Sequence, residues 1–186
     1  MRSRFVWLLV LLLAGCASGP VDPPATQPVT EEGGAKMIQV VSRRANVEFE
    51  YPATWHPQKD VTVMTLVPDG QKKGGHTALA VDMPDLPPHI PYLIPIGLVD
   101  AGFVNSLKSR YQDGTIDENV EKPFPDSAAR EVRASGKMGD EEVKVLTMLI
   151  VHGDHVYLIE SVSDLAHLAA TEAAYDAIVG SWKWLN

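Results

Sequence analysis

VKVLTMLIVHGDHVYLIESV, Val143 to Val162, decides the fold. Two runs that are apolar on both alternating sets of positions flank His152-Gly153-Asp154-His155. Glycine at the first central position of a two-residue loop suits a type II′ turn, whose backbone twist matches that of paired strands. The stretch therefore predicts an antiparallel hairpin. Strands apolar on both faces must be covered on both faces. The same dipeptide returns one strand earlier in Met138-Gly139-Asp140-Glu141, here without flanking histidines. Gly-Asp is thus a turning device that fixes the register of a β-meander. His152 and His155 then read as a cross-strand pair about 5 Å apart, and two imidazoles without a third ligand make a poor metal site.

Working outward, AAREVRASG, Ala128 to Gly136, supplies the preceding strand. Further strands are expected at NVEFEY, Asn46 to Tyr51, at VTVMTLV, Val61 to Val67, and at TALAVDM, Thr77 to Met83. The first of these alternates Val47, Phe49 and Tyr51 against Glu48 and Glu50, so one face is wet, and Pro52 ends it by removing a ladder donor. Two helices are available as cover. In Val99 to Gly114 the residues Phe103, Val104, Leu107 and Tyr111 recur at helical spacing, with Asp113-Gly114 as the stop. In Ser163 to Gly180 the stripe is Leu165, Leu168, Tyr175, Ile178, Val179 and on to Trp182, with Ser163 or Asp164 as N-cap. The fold class expected is α+β, a three-layer α/β/α sandwich around a mostly antiparallel sheet.

Phe49-Glu50-Tyr51-Pro52-Ala53-Thr54-Trp55, then a helix carrying FVNSLKSRY, then VYLIESVS followed by YDAIVGSWKW, Tyr175 to Trp184, together resemble the PsbP-like superfamily. That group includes the extrinsic photosystem II protein, the Ran-binding Mog proteins and many bacterial lipoproteins. The resemblance spans 37–186 and rests on two motifs: the aromatic-Tyr-Pro-x-x-Trp strand end, and a tyrosine helix closing on Ser181-Trp182-Lys183. It implies an α/β/α sandwich and non-enzymatic work through protein contacts. No calcium or manganese site transfers residue by residue, and no cofactor is implied.

The N-terminus adds an address. Arg2 and Arg4 precede Phe5 to Gly15, an apolar run too short for a membrane span, which needs about 20 residues, but suited to a secretory signal. Leu13-Ala14-Gly15-Cys16 looks like a bacterial lipobox: a signal peptide at 1–15, cleavage between Gly15 and Cys16, and lipid on the only cysteine. The mature domain then has no thiol left for a disulfide, nucleophile or metal site. Residues 16–36 carry four prolines, three glycines and few large apolar groups after the cysteine, and read as a flexible tether. The globular domain is expected at 37–186. Export to a bacterial membrane follows, and Ala17, rather than aspartate, after the cysteine favours the periplasmic side of the outer membrane.

The net charge is -8, and removal of Arg2 and Arg4 leaves 14 basic against 24 acidic side chains, or -10. The charge argues against a general affinity for nucleic acid or anionic lipid headgroups, since both require a cationic surplus. Nucleic acid is thus excluded as a partner, and membrane attachment is expected from acyl chains rather than electrostatics. No catalytic constellation stands out. Ser161, Ser163, Asp164 and His167 lie together without a G-x-S-x-G elbow, and Gly33-Gly34 and Gly74-Gly75 lack phosphate-loop spacing. Trp55-His56 reads as a packed tryptophan beside a solvated histidine. The unusual segment is Met83 to Gly97, where five prolines alternate with Leu86, His89, Ile90, Tyr92, Leu93 and Ile94. Stiff prolines lower the entropy lost on docking, so these residues are the candidate partner-binding loop; the competing reading is a cover over the domain's own core. The function expected is a membrane-anchored, non-catalytic binding or scaffold module for a protein partner. The alternative is an envelope carrier of a small apolar ligand or metal, with His56, His76, His89, His152 and His155 as ligands.

Overall fold

The structure, a computed structural model, describes residues 25–32, 35–58, 64–71, 75–84 and 95–185. The deciding stretch is a hairpin: β9 (Glu141–His152) pairs antiparallel with β10 (His155–Asp164), with His152 opposite His155. Gly153 has φ +60° while Asp154 keeps a negative φ, as a type II′ turn requires. Gly139, at φ +65°, turns β8 (Ser127–Met138) into β9 in the same way.

Around this meander the chain builds a seven-stranded sheet. Its order is β4 (Trp55–Gln58), β5 (Met64–Pro68), β6 (Ala78–Asp82), β10, β9, β8 and β7 (Gln112–Phe124). A second, four-stranded sheet of β1 (Ala25–Glu32), β2 (Ala35–Ser42), β3 (Val47–Pro52) and β11 (Lys183–Trp184) accompanies it. Among the described residues every strand pairing is antiparallel.

The registers show how the two faces are covered. Val162, Val145 and Ala134 lie side by side on one face and pack with Leu107, Tyr111 and Phe103 of α1 (Ile96–Arg110). On the other face, Leu146, Met148, Ile150, Tyr157 and Ile159 join the larger core with Ala174, Tyr175 and Ile178 of α2 (Leu168–Ser181) and with Val47, Phe49 and Tyr51 of β3. The helices therefore sit on opposite faces of the large sheet, and the small sheet shares the α2 side. This is the α+β sandwich expected, with a second sheet in one of its layers.

Four sequence expectations change. The first helix runs from Ile96 to Arg110 rather than from Val99 to Gly114, so Asp113-Gly114 falls within β7 instead of stopping the helix. The tether assigned to 16–36 does not run to Lys36, because Ala25–Glu32 is a strand that pairs with β2. Its Pro28 and polar composition hide it, and as an edge strand it needs only one hydrogen-bonding partner. The second helix starts at Leu168 rather than Ser163, since β10 continues to Asp164 and Leu165 stands 56% exposed. Asp164 still serves the junction: its Oδ1 accepts the backbone N–H of His167 at 2.9 Å. β7 went unread because QDGTIDENVEKPF mixes a helix stop, charges and a proline. It is a wet edge strand whose register shifts twice against β8, and such bulges blunt an edge against foreign pairing.

Candidate functional site

A polar groove between α2 and strands β7 to β10 is lined by Asp117, Arg133, Lys144, Ser161, Ser163 and Glu172. Arg133 occupies its centre. Its Nε lies 3.2 Å from Glu131 Oε1 and 3.5 Å from Glu118 Oε2, and its Nη1 lies 3.1 Å from Glu172 Oε1. Burial works to lower the Arg133 pKa, but Glu131 and Glu172 outweigh it and hold the guanidinium above its ordinary value. Lys122 adds a second cation to Glu131 at 3.4 Å. At the groove's far end Asp117 accepts both Ser135 Oγ contacts at 2.8 Å and meets Lys144 at 3.4 Å. Partial burial would raise its carboxyl, yet the Ser135 hydroxyl and the Lys144 ammonium leave it below the usual range.

These groups satisfy one another. An arginine whose fork is taken by three carboxylates has few donors left for a substrate anion. The serines are engaged as well: Ser161 donates to the Leu146 carbonyl at 3.2 Å, and Ser163 donates to the Asp164 carbonyl at 2.8 Å while accepting from Thr171 at 3.1 Å. His167 turns its Nδ1 to Asp164, at 2.8 Å, rather than to either serine. Both serines are buried. The cluster joins a strand end to a helix start, and no nucleophile–base pair is assembled.

The predicted ligands scatter too. His56 pairs with Asp69, and His76 approaches Glu141 at 3.8 Å. His152 and His155 face each other in register but turn to different neighbours. His155 meets Asp154 at 3.2 Å and the edge of Tyr157, whereas His152 stacks on Trp184 with ring centroids 3.9 Å apart. Ser127 Oγ spends its proton on the Pro125 carbonyl at 2.8 Å, so it and the Asp126 carbonyl accept from His152, which places the ring proton on Nδ1. Among the described residues no three His, Cys, Asp or Glu side chains gather at metal-binding distance. His89, Leu86, Ile90, Tyr92, Leu93, Ile94 and the expected cleavage and lipidation residues Gly15 and Cys16 lie outside the described residues.

The motif residues meet in space. Trp182 stacks on Phe49 at 5.6 Å with planes 8° apart, and Ser181 Oγ accepts the backbone N–H of Glu50 at 2.8 Å. Tyr51 and Trp55, either side of Pro52, are both buried. Ser-Trp-Lys thus pins the end of α2 to β3, and Lys183 extends the join with an ion pair to Glu48 at 3.4 Å. Tyr157 spans the two sheets, edge-on to Trp182 and donating its hydroxyl to the Ala45 carbonyl at 3.0 Å.

The sandwich recurs in known structures. The solution structure of cyanobacterial PsbP (CyanoP) from Synechocystis sp. PCC 6803 superposes with a TM-score of 0.58 at 12% identity, over 91% of this chain and 98% of that one. The chain has the PsbP-like fold. LpqN, whose structure is described as that of a protein involved in cell envelope biogenesis of Mycobacterium tuberculosis, superposes with a TM-score of 0.57 at 10% identity, over 89% and 93% of the two chains. No family model and no curated sequence matches. At such identities the PsbP-like fold is shared while its surface chemistry is free to differ.

Proposed function

We propose that this chain is a lipid-anchored domain of a bacterial envelope that works by holding a protein partner, without catalysis. The observation that carries the reading is Leu13-Ala14-Gly15-Cys16 at the end of a short apolar run, on a chain whose domain has the PsbP-like fold. The placement of LpqN in envelope biogenesis supports the address. The closed charge network beside α2 supports binding over chemistry, because its cations and carboxylates are already committed to one another. The partner-binding element proposed is the proline-rich segment 84–96. It leaves the sheet after β6 and enters α1, whose first turn presents Leu98 at 69% exposure. The experiment is metabolic fatty-acid labelling: the wild-type chain takes up label and Cys16→Ala does not, and continued labelling of the variant would sink the anchor. For the partner, Ile90, Tyr92 and Leu93 are changed together to serine. A folded domain that loses its partner supports the interface, while global unfolding makes the segment a core cover.

A further inference from the structure

We propose that the end of the domain carrying the β2–β3 turn is a docking surface for anionic lipid headgroups, with Arg43 and Arg44 as its contacts. The proposal rests on the lipid anchor at Cys16 and adds to it an orientation.

The first argument is one of reach. Ala25 begins β1 and pairs with Val41, directly beside the turn Arg43 to Asn46. Eight residues, 17 to 24, separate it from Cys16. Even fully extended they cover roughly 30 Å, at no more than about 3.6 Å per residue. That is less than the roughly 40 Å breadth expected of a domain of this size. The end of the sheet where β1 starts is therefore held toward the bilayer, and the opposite end is held away.

The second argument is charge. Arg43 and Arg44 are adjacent and exposed, and neither makes an ion pair among the described residues. The other described arginines, Arg110, Arg130 and Arg133, each bind a carboxylate. In a chain of net charge -8, two adjacent guanidinia without an ion pair among the described residues are unusual. The turn that presents them is firmly held: Ser42 Oγ accepts the Ala45 N–H at 3.3 Å, and the buried Tyr157 donates to the Ala45 carbonyl at 3.0 Å. Next to it, the backbone N–H of Leu185 donates to the Asn46 carbonyl at 2.9 Å, which brings Trp184 and the stacked His152 to the same end. An indole beside arginines suits the headgroup region, where one end of the ring is wet and the other apolar.

Among the described residues Asp126 and Asp154 sit in the adjoining turns at this end, and Asp154 lies 3.2 Å from His155. The acidic run Asp140-Glu141-Glu142 lies at the other end of β9, roughly 36 Å away at about 3.3 Å per residue. That exceeds the Debye length of about 8 Å several times over. Each arginine at an anionic surface shifts the docked-to-undocked ratio roughly fivefold, the pair about twenty-five-fold.

The test uses the full lipidated chain in vesicles of phosphatidylcholine alone or mixed with phosphatidylglycerol. With Cys16 acylated, a cysteine introduced at either hairpin is the sole thiol for a fluorophore: Asp154→Cys at the near end, Asp140→Cys at the far end. A lipid-borne quencher is expected to dim the label at 154 in anionic vesicles, and not the label at 140. Quenching at 154 is expected to fall in phosphatidylcholine and in an Arg43→Glu, Arg44→Glu variant whose circular dichroism is unchanged. Equal quenching at both ends, or quenching at 154 that survives charge reversal, overturns the docking surface. Flotation separates the two claims: a chain that fails to float with vesicles overturns the anchor itself, whereas one that floats with neither label near lipid overturns only the docking.

Discussion

Replacing Tyr157 by phenylalanine removes one oxygen from a buried position and leaves the ring. The hydroxyl is the only part of the side chain that bonds the small sheet directly, through the Ala45 carbonyl at 3.0 Å, and Ala45 is itself buried. Losing that bond costs the net worth of a neutral hydrogen bond, about 1 kcal/mol. It also leaves the Ala45 carbonyl without this donor in a site closed to water, so the sum is about 1–3 kcal/mol. The ring keeps its edge contact with Trp182 at 6.0 Å and its tilted contact with Trp184 at 5.1 Å, so no cavity term is added. Tyr157→Ala removes those contacts too and should cost about 3–5 kcal/mol. Urea denaturation of the three proteins reads these differences as shifts in midpoint at constant slope. The conservative variant should also speed amide exchange in the turn Arg43 to Asn46 more than in the β9–β10 hairpin. An unchanged midpoint in Tyr157→Phe would refute the idea that this hydroxyl ties the sheets together.

The buried hydroxyl of Tyr175 has no hydrogen-bond partner among the described residues, and burial, reinforced by Glu131 and Asp176, pushes its pKa far above the ordinary value. Because the folded state keeps that proton longer than the unfolded chain, stability is complete below about pH 10 and falls as pH rises beyond it. Tyr175→Phe should therefore be neutral or stabilising at pH 7 and should flatten the alkaline decline seen in thermal melts; an unaltered alkaline limb would count against the assignment. A methyl group at Gly136 would meet Tyr111 Cβ at 2.6 Å and the Gln112 carbonyl oxygen at 3.2 Å. Gly136→Ala should cost about 1–3 kcal/mol through this overpacking of β8 against the end of α1, and equal midpoints for variant and wild type would show the strands free to part. Gly139→Ala and Gly153→Ala meet no atom within 4 Å but carry φ of +65° and +60°. Each should lose about 1–3 kcal/mol through backbone strain alone, and their effects should add, since the turns lie at opposite ends of β9.

What could be read from the residues followed hydrophobic period and turn chemistry. The hairpin from Val143 to Val162 was legible because both its runs are apolar on both faces, and the two Gly-Asp turns of the meander each supply a glycine where φ must be positive. Phe49, Tyr51, Trp55, Tyr175 and Trp182 were legible as core because large aromatics at strand and helix spacing have nowhere else to go. The small sheet was not, since β1 is polar and proline-bearing and β11 is two residues long. β7 was lost for a related reason: its half-buried Ile116, Val120 and Phe124 are spaced among charges, a proline and a Gly-Asp helix-stop signal, which leaves no clear apolar period to detect. The groove around Arg133 left no motif, because its members come from β7, β8, β9, β10 and α2 and only the fold joins them. Arg43 and Arg44 stand out only once β1 is placed beside their turn.

The central claim is that this chain, held at a membrane, binds a protein through the segment between β6 and α1. A photo-crosslinking amino acid at position 92 of the full chain, activated in intact cells, tests it most directly. The account predicts one discrete adduct that disappears when Ile90 and Leu93 are changed to serine in a protein that still folds and still carries lipid. Irradiation that yields no adduct, or an adduct indifferent to those two changes, would contradict it.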